Sequence, residues 1–232
     1  MGSITNNLQE VKGRISSAAQ AAGRTAQDIT LLAVTKTFGP AAVREAVGAG
    51  QRAFGENYVQ EALAKIEQLA DLRHSIEWHL IGPLQSNKTR VVAEHFDWVQ
   101  SVDRLKIAER LSAQRRPDLP ALNVCLQVNI SGEASKSGLT PAEVVAVAQA
   151  VAKLPRLRLR GLMAVPEAAV DGADPAALRA PHQALHALFE TLVAQGLPLD
   201  TVSTGMSADL EPAIAAGSTM VRVGSAIFGH RM

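Results

Sequence analysis

Eight short runs of aliphatic and β-branched residues recur along the chain, and polar segments separate them. The runs are ITLLAVT (29–35), QRAFGE (51–56), IEWHLIG (76–82), FDWVQSV (96–102), ALNVCLQVNI (121–130), RLRGLMAV (158–165), LDTVSTG (199–205) and TMVRVGSAIF (219–228). Each reads as a strand. The segments between them carry apolar positions at helical spacing. PAAVREAVGAG (40–50) starts with Pro40 and ends on glycine, the asymmetry of helix ends. NYVQEALAKIEQLADL (57–72) places Val59, Leu63, Ile66 and Leu69 along one face, with charges opposite. VDRLKIAERLSAQ, PAEVVAVAQAVAKL and ALRAPHQALHALFETLVAQG continue the pattern, and NNLQEVKGRISSAAQAAG forms a leading helix.

Strands alternating with helices imply parallel βαβ units. Sharing 232 residues among eight units gives 29 each, compact but sufficient for a (β/α)8 barrel of the TIM type. Two stretches, AVGAGQRAFGE and AIAAGSTMVRVG, echo one another as helix end, glycine stop and strand, as two units of one barrel would. An open doubly wound sheet is the alternative architecture. No Gly/Ser or Pro-rich linker divides the chain, so a single domain is expected over 1–232, with the leading helix in 1–24 and the barrel in 29–228.

Composition narrows the picture. Hydrophobic residues make up 47% and aromatics 3%, so the core must be Ala, Val, Leu and Ile, as in parallel sheets covered on both faces. A net charge of +1 argues against nucleic acid or an anionic membrane as the main partner. One cysteine, Cys125, precludes an intrachain disulfide and suits a reducing compartment. The N-terminus lacks a signal-peptide core, and no run approaches the roughly 18–20 apolar residues of a membrane span. A soluble, cytoplasmic protein is expected.

A (β/α)8 barrel carries its chemistry at the C-terminal ends of its strands. The residues there include Lys36, Glu56, Asn57, His79, Ser101, Asp103, Asn129, Met163, Ser203, Arg222 and Ser225. Polar loops explain most of these, but not Lys36, which directly continues a buried-strand pattern. Lys12, Lys65, Lys106 and Lys153 fall on helices and read as solvated; Lys88 and Lys136 lie in polar segments. A neutral amine at a barrel mouth is a nucleophile toward aldehydes. The alternative is a salt-bridged structural lysine. A second feature bears on the choice. STGMSADLEPAIAAG (203–217) reads as a strand end, a small-residue turn and a short helix opening near Ser207, and GSAIFG follows the last strand. Phosphate sites in this architecture are often built from the loops after strands seven and eight. Asp209 and Glu211 count mildly against an anion there. Lysine and turn together point to a phosphorylated aldehyde.

Several segments carry a resemblance: LLAVTK, FGENYVQEALAK, WHLIGPLQSNK, QVNISGEASKSGL, GLMAVP and STGMSADLEPAIAAGSTMVRVGSAIFG. Over nearly its whole length the chain resembles the pyridoxal phosphate homeostasis proteins, which are similar in fold to the N-terminal barrel of alanine racemase. The resemblance implies that Lys36 holds pyridoxal 5′-phosphate as an internal aldimine. It also implies that Ser203, Gly205, Ser207, Gly224 and Ser225 lie in phosphate-binding stretches. Arg222 would face the pyridine nitrogen, and Asn57, His79 and Met163 would line the ring pocket. The family is described as binding the cofactor without established turnover and as affecting vitamin B6 balance. An arginine at the pyridine nitrogen makes the cofactor a poorer electron sink than a carboxylate would. Alanine racemase takes its second base, a tyrosine, across a dimer through an additional domain; here the chain stops at Met232, and its single tyrosine is Tyr58. The expectation is a monomeric carrier that supplies apoenzymes. A racemase- or decarboxylase-like enzyme on amino acids, or an aldolase on a sugar phosphate, stays open.

Other candidates read as structural. Cys125, Trp78 and Trp98 are expected in the core. His182 and His186 are four apart on a helix, but no third metal ligand is evident, and a solvated face is expected. The alternating RLRLR (156–160) sits at the end opposite the site. SGEASKSGL (131–139) is a loop that could cover the cofactor, with Lys136 as a conceivable second aldehyde site.

Overall fold

The computed structural model describes residues 3–132, 137–166 and 174–229. Eight parallel strands close on themselves in sequence order: β1 Thr30–Val34, β2 Ala53–Glu56, β3 Glu77–Leu80, β4 Trp98–Val102, β5 Leu122–Gln127, β6 Leu157–Met163, β7 Thr201–Ser203 and β8 Met220–Val223. Pairing of Leu32 with Arg222 and Ala33 with Val223 joins β8 to β1 and rules out the open sheet. The helices are α1 Ile4–Ala21, α2 Pro40–Gly48, α3 Val59–Gln68, α4 Thr89–His95, α5 Leu105–Gln114, α6 Pro141–Val151, α7 Pro175–Ala194, α8 Leu210–Ala215 and α9 Ser225–Phe228. None of them is long and apolar enough to cross a membrane.

Strand alternation sorts the core into two layers. Leu32, Ala53, Trp98, Cys125, Met163 and Met220 pack together inside the barrel. Their strand neighbours Ala33, Phe54, Val99, Val124, Leu162 and Val221 belong to the larger cluster between strands and helices. Cys125 is buried as expected, and burial pushes its thiol up to about 12. The end of the barrel where the strands begin is plugged by Arg160. Its guanidinium lies 4.5 Å from the Trp98 ring centroid, pairs with Asp200 at 2.8 Å and donates to Asn123 Oδ1 at 2.9 Å.

Four features differ from the sequence expectation. Helix α4 was not anticipated, because seven residues give too few turns for an apolar stripe to register. The run 219–228 is two elements: β8 ends at Val223, and Ser225–Phe228 turn into α9. Lys65 is buried, not solvated. So is His182, whose Nδ1 bonds Thr204 Oγ1 at 2.8 Å and whose Nε2 lies 3.3 Å from Asp209 Oδ2. Among the described residues no group of His, Cys, Asp and Glu could hold a metal. Lys136 lies outside the described residues.

Candidate functional site

A cavity of about 630 Å³ opens at the C-terminal ends of the strands, within the size range of small-molecule sites. Six of the ten anticipated residues line it: Lys36, Asn57, Ser207, Arg222, Gly224 and Ser225. Val34, Phe38, Ile81, Val165 and Met206 form apolar walls that the sequence reading did not assign.

Lys36 follows β1 by two residues and is half-buried. Neither an ion pair nor a hydrogen bond engages its ammonium among the described residues. Strand parity explains its direction: Leu32 and Val34 face inward, so Lys36 enters the mouth while Thr35 faces α3. Asn57 sits at the equivalent point after β2. Gly82 lets the chain after β3 pass close behind it, since a Cβ at Gly82 would fall 2.1 Å from the Asn57 carbonyl oxygen. The Asn57 Oδ1 is buried without a hydrogen-bond partner.

Arg222 comes up from β8 and is buried. Its Nη1 donates to the carbonyl and hydroxyl of Ser203, both at 2.8 Å, and its Nη2 donates to the Ala164 carbonyl at 2.7 Å. No described carboxylate forms an ion pair with it. Burial lowers its pKa to about 10.

Ser203, His79, Met163 and Gly205 do not line the cavity. They lie behind it, for reasons of register and packing. Ser203 accepts from Arg222 and donates to Gln100 Oε1 at 2.6 Å; the Gln100 amide then meets His79 Nδ1 at 3.0 Å. Arginine can only donate, so it sets the direction of this chain, with Gln100 donating to the ring nitrogen. His79 is fully enclosed and stacks on Trp98 at 4.9 Å, and burial pushes its pKa down, leaving a neutral ring. Met163 belongs to the interior layer. Gly205 has φ 97° and its Cβ would strike Ala213 at 2.5 Å, so it shapes the turn instead of touching the cavity. Gln100 was missed, although alternation along β4 places it on the same face as Trp98.

The turn after β7 differs from the expected helix start at Ser207: α8 begins at Leu210. Asp209 is not a solvated charge there, for its Oδ1 accepts the Met206 N–H at 2.6 Å. Arg14 of α1 takes Glu211 at 2.8 Å and the Ser207 carbonyl at 3.0 Å. The Ser207 and Ser225 hydroxyls are 3.4 Å apart, so the two final loops meet at one side of the cavity.

Comparison with known proteins gives this arrangement a family. Residues 6–232 match the family model described as alanine racemase, N-terminal domain. The chain is 59% identical to the Pseudomonas aeruginosa protein named pyridoxal phosphate homeostasis protein, over 100% of this chain and 97% of that one. The Escherichia coli K12 protein of the same name is 54% identical over 100% and 98%. The chain belongs to the pyridoxal phosphate homeostasis protein family. Among solved structures, PipY of Synechococcus elongatus PCC7942 with PLP bound superposes with a TM-score of 0.79 at 38% identity, covering 93% of this chain and all of PipY. The solved PipY structure therefore matches the barrel fold over nearly the whole chain.

The residues present suit such a cofactor. Asn57 Oδ1 lacks a partner, Arg222 is a buried cation held by neutral acceptors alone, and the glycine at 224 leaves room beside the Val34 carbonyl, 3.2 Å from where its Cβ would stand.

Proposed function

We propose that this protein holds pyridoxal 5′-phosphate covalently on Lys36 and serves intracellular vitamin B6 homeostasis, keeping the reactive aldehyde sequestered and releasing it to apoenzymes. The observation that carries this reading is the convergence on one cavity of Lys36, Arg222 and Asn57, which among the described residues have no partner, no counter-ion and an unused acceptor respectively. When bound, the cofactor supplies an aldehyde. Lys36 would hold it through its side-chain amine, which can condense with that aldehyde with loss of one water. Arg222 can donate but not accept, so its guanidinium suits an unprotonated pyridine nitrogen. Ser207 and Ser225 present hydroxyls to the phosphate, and the Asp209 cap holds the Met206–Ser207 turn in place for it. Val34, Ile81 and Val165 keep water from the ring. Ser203, Gln100 and His79 support Arg222 from behind. Gly205 shapes the phosphate turn, and Met163 packs beneath it. All of these groups come from one chain, and a monomer is the working unit proposed.

The test is the visible spectrum of the purified protein loaded with pyridoxal 5′-phosphate, before and after borohydride. A band that borohydride bleaches, with the label recovered on Lys36, is expected. Lys36→Ala should lose both band and label at that position. Loading without any lysine-dependent band would overturn the reading.

A further inference from the structure

Thr37 adopts φ 69° although its side chain is β-branched and exposed. Left-handed backbone at such a residue is rare and persists where the surroundings over-determine it. The surroundings here are a charge cluster on the outer side of the barrel wall, buried at Lys65 and Glu56 and partly exposed at Glu61. Lys65 of α3 is 3% exposed, and its Nζ contacts the Thr35 carbonyl at 2.6 Å, Glu56 Oε1 at 2.6 Å and Glu61 Oε1 at 2.7 Å. An ammonium has three N–H donors, and three acceptors meet them. Thr35 Oγ1 donates to Glu56 Oε1 at 2.6 Å, and the Thr37 N–H donates to Glu61 Oε1 at 2.6 Å.

The cluster thus grips the residue before Lys36 by its carbonyl and hydroxyl, and the residue after it by its amide. Lys36 itself receives no bond from it. A fold that needed only to seal the gap between β2 and α3 would bury aliphatic side chains there, since replacing a buried ion pair by apolar packing is often neutral or stabilising. Burial pushes the Glu56 carboxyl above its usual range against the pull of Lys65, and its Oε2 has no partner. The desolvation of Lys65 and Glu56 is a cost that packing alone does not explain.

We infer that Lys65, Glu56 and Glu61 form a positioning clamp that fixes the main chain on both sides of Lys36 and so aims its amine into the cavity. The inference rests on Lys36 being the cofactor-bearing residue. Lys65 is a positioning residue, with its own ammonium fully occupied and turned away from the cavity.

Glu61 is the tractable handle, since its side chain is 30% exposed and its loss leaves no sealed void. Glu61→Ala removes the grip on Thr37; Glu61→Gln keeps a carbonyl oxygen for the Thr37 N–H. Two quantities are measured on wild type and both variants: the dissociation constant of the borohydride-trappable adduct with pyridoxal 5′-phosphate, and the inhibition constant of inorganic phosphate. In Glu61→Ala the first should weaken roughly tenfold, the scale of one lost charge-assisted hydrogen bond, with the second unchanged. Glu61→Gln should recover most of the loss. Equal weakening of both constants in Glu61→Ala would mean general loosening and overturn the clamp, as would wild-type adduct formation in that variant. If wild type itself trapped no label on Lys36, the cofactor assignment would fall and the clamp with it.

Discussion

Each end of the barrel directs one arginine into the interior, and the two are completed differently. At the end where strands begin, Arg160 lies over Trp98 and finds Asn123 of β5 and Asp200, just before β7. At the end where strands finish, Arg222 finds the Ser203 hydroxyl and two carbonyl groups, all neutral. A carboxylate is near enough to favour its charge, but Asp209 is spent on the Met206 N–H and on His182. One end is closed by the chain itself. The other leaves, among the described residues, a cation without an ion pair, a lysine without a partner and an unused amide oxygen around an open cavity.

Replacing both arginines by methionine breaks the comparison most directly. Folding lowers the pKa of Arg222, so its protonated form is penalised in the fold. That penalty acts in full below about pH 10 and fades as pH rises through that value. Arg222→Met removes the penalty along with the hydrogen bonds, and the melting temperature of the unliganded protein should move by no more than about 2 °C. Pyridoxal 5′-phosphate affinity should fall about a hundredfold, the scale of losing hydrogen bonds from a charged donor. Arg160→Met should do the reverse. It loses a cation–π contact and a half-exposed ion pair, together about 1–2 kcal/mol, so its melting temperature should drop by about 3–6 °C, with affinity kept within about twofold. Calorimetry of the unliganded proteins and absorbance titration of the loaded ones check both.

How much of this contrast could be read from the sequence depends on how local the signal is. The strands were legible because short runs rich in apolar residues alternate with segments of helical spacing, and Lys36 because it ends the most aliphatic stretch, ITLLAVT. Arg222 was legible as a strand-end residue, and its place at the site only through the family resemblance. Lys65 was not. The apolar positions 59, 63, 66 and 69 suggested one buried face for α3; Ile66 and Leu69 are buried and Val59 packs against the core, but Ala62 and Lys65 are buried beside them. Its pairing with Glu61 four residues earlier has the form of an ordinary surface pair; the decisive partner, Glu56, belongs to a different element. His182 was misread for the same reason, since Thr204 and Asp209 reach it across the fold. The layer behind the site was half legible. Residues at strand ends were placed correctly at the mouth end, but depth along the strands separates Asn57, which enters the cavity level with Ile81, from His79, Met163 and Ser203, which also face inward but lie a layer deeper. Counting back along each strand from Lys36, Asn57 and Arg222 would have drawn that line, and would have shown Gln100 facing inward.

The carboxylates sharpen the comparison more gently, because Asp200 and Asp209 occupy matching places beside the two arginines but serve different partners. Burial pushes the Asp209 carboxyl up, yet the His182 ring and the Met206 N–H more than offset this and leave it below its ordinary range. A carboxyl depressed by folding contributes stability that is present above its unfolded value and lost as pH falls through the folded one. The groups that hold it face the Met206–Ser207 turn, so acidification should release that turn and weaken phosphate binding below about pH 4. Asp209→Asn should weaken inorganic phosphate binding about fivefold at neutral pH, roughly one hydrogen bond's worth, and flatten the acid limb. Asp200→Asn should leave phosphate binding and its acid limb alone while lowering the melting temperature by about 2–4 °C, since its partner Arg160 lies at the closed end. An acid limb that survives in Asp209→Asn, or one that disappears in Asp200→Asn, would mean that the two ends are not independent and that the cavity feels the plug through the barrel interior. The Ser203–Gln100–His79 chain, which ends with His79 stacked on the same Trp98 ring that carries Arg160, is the route such coupling would take.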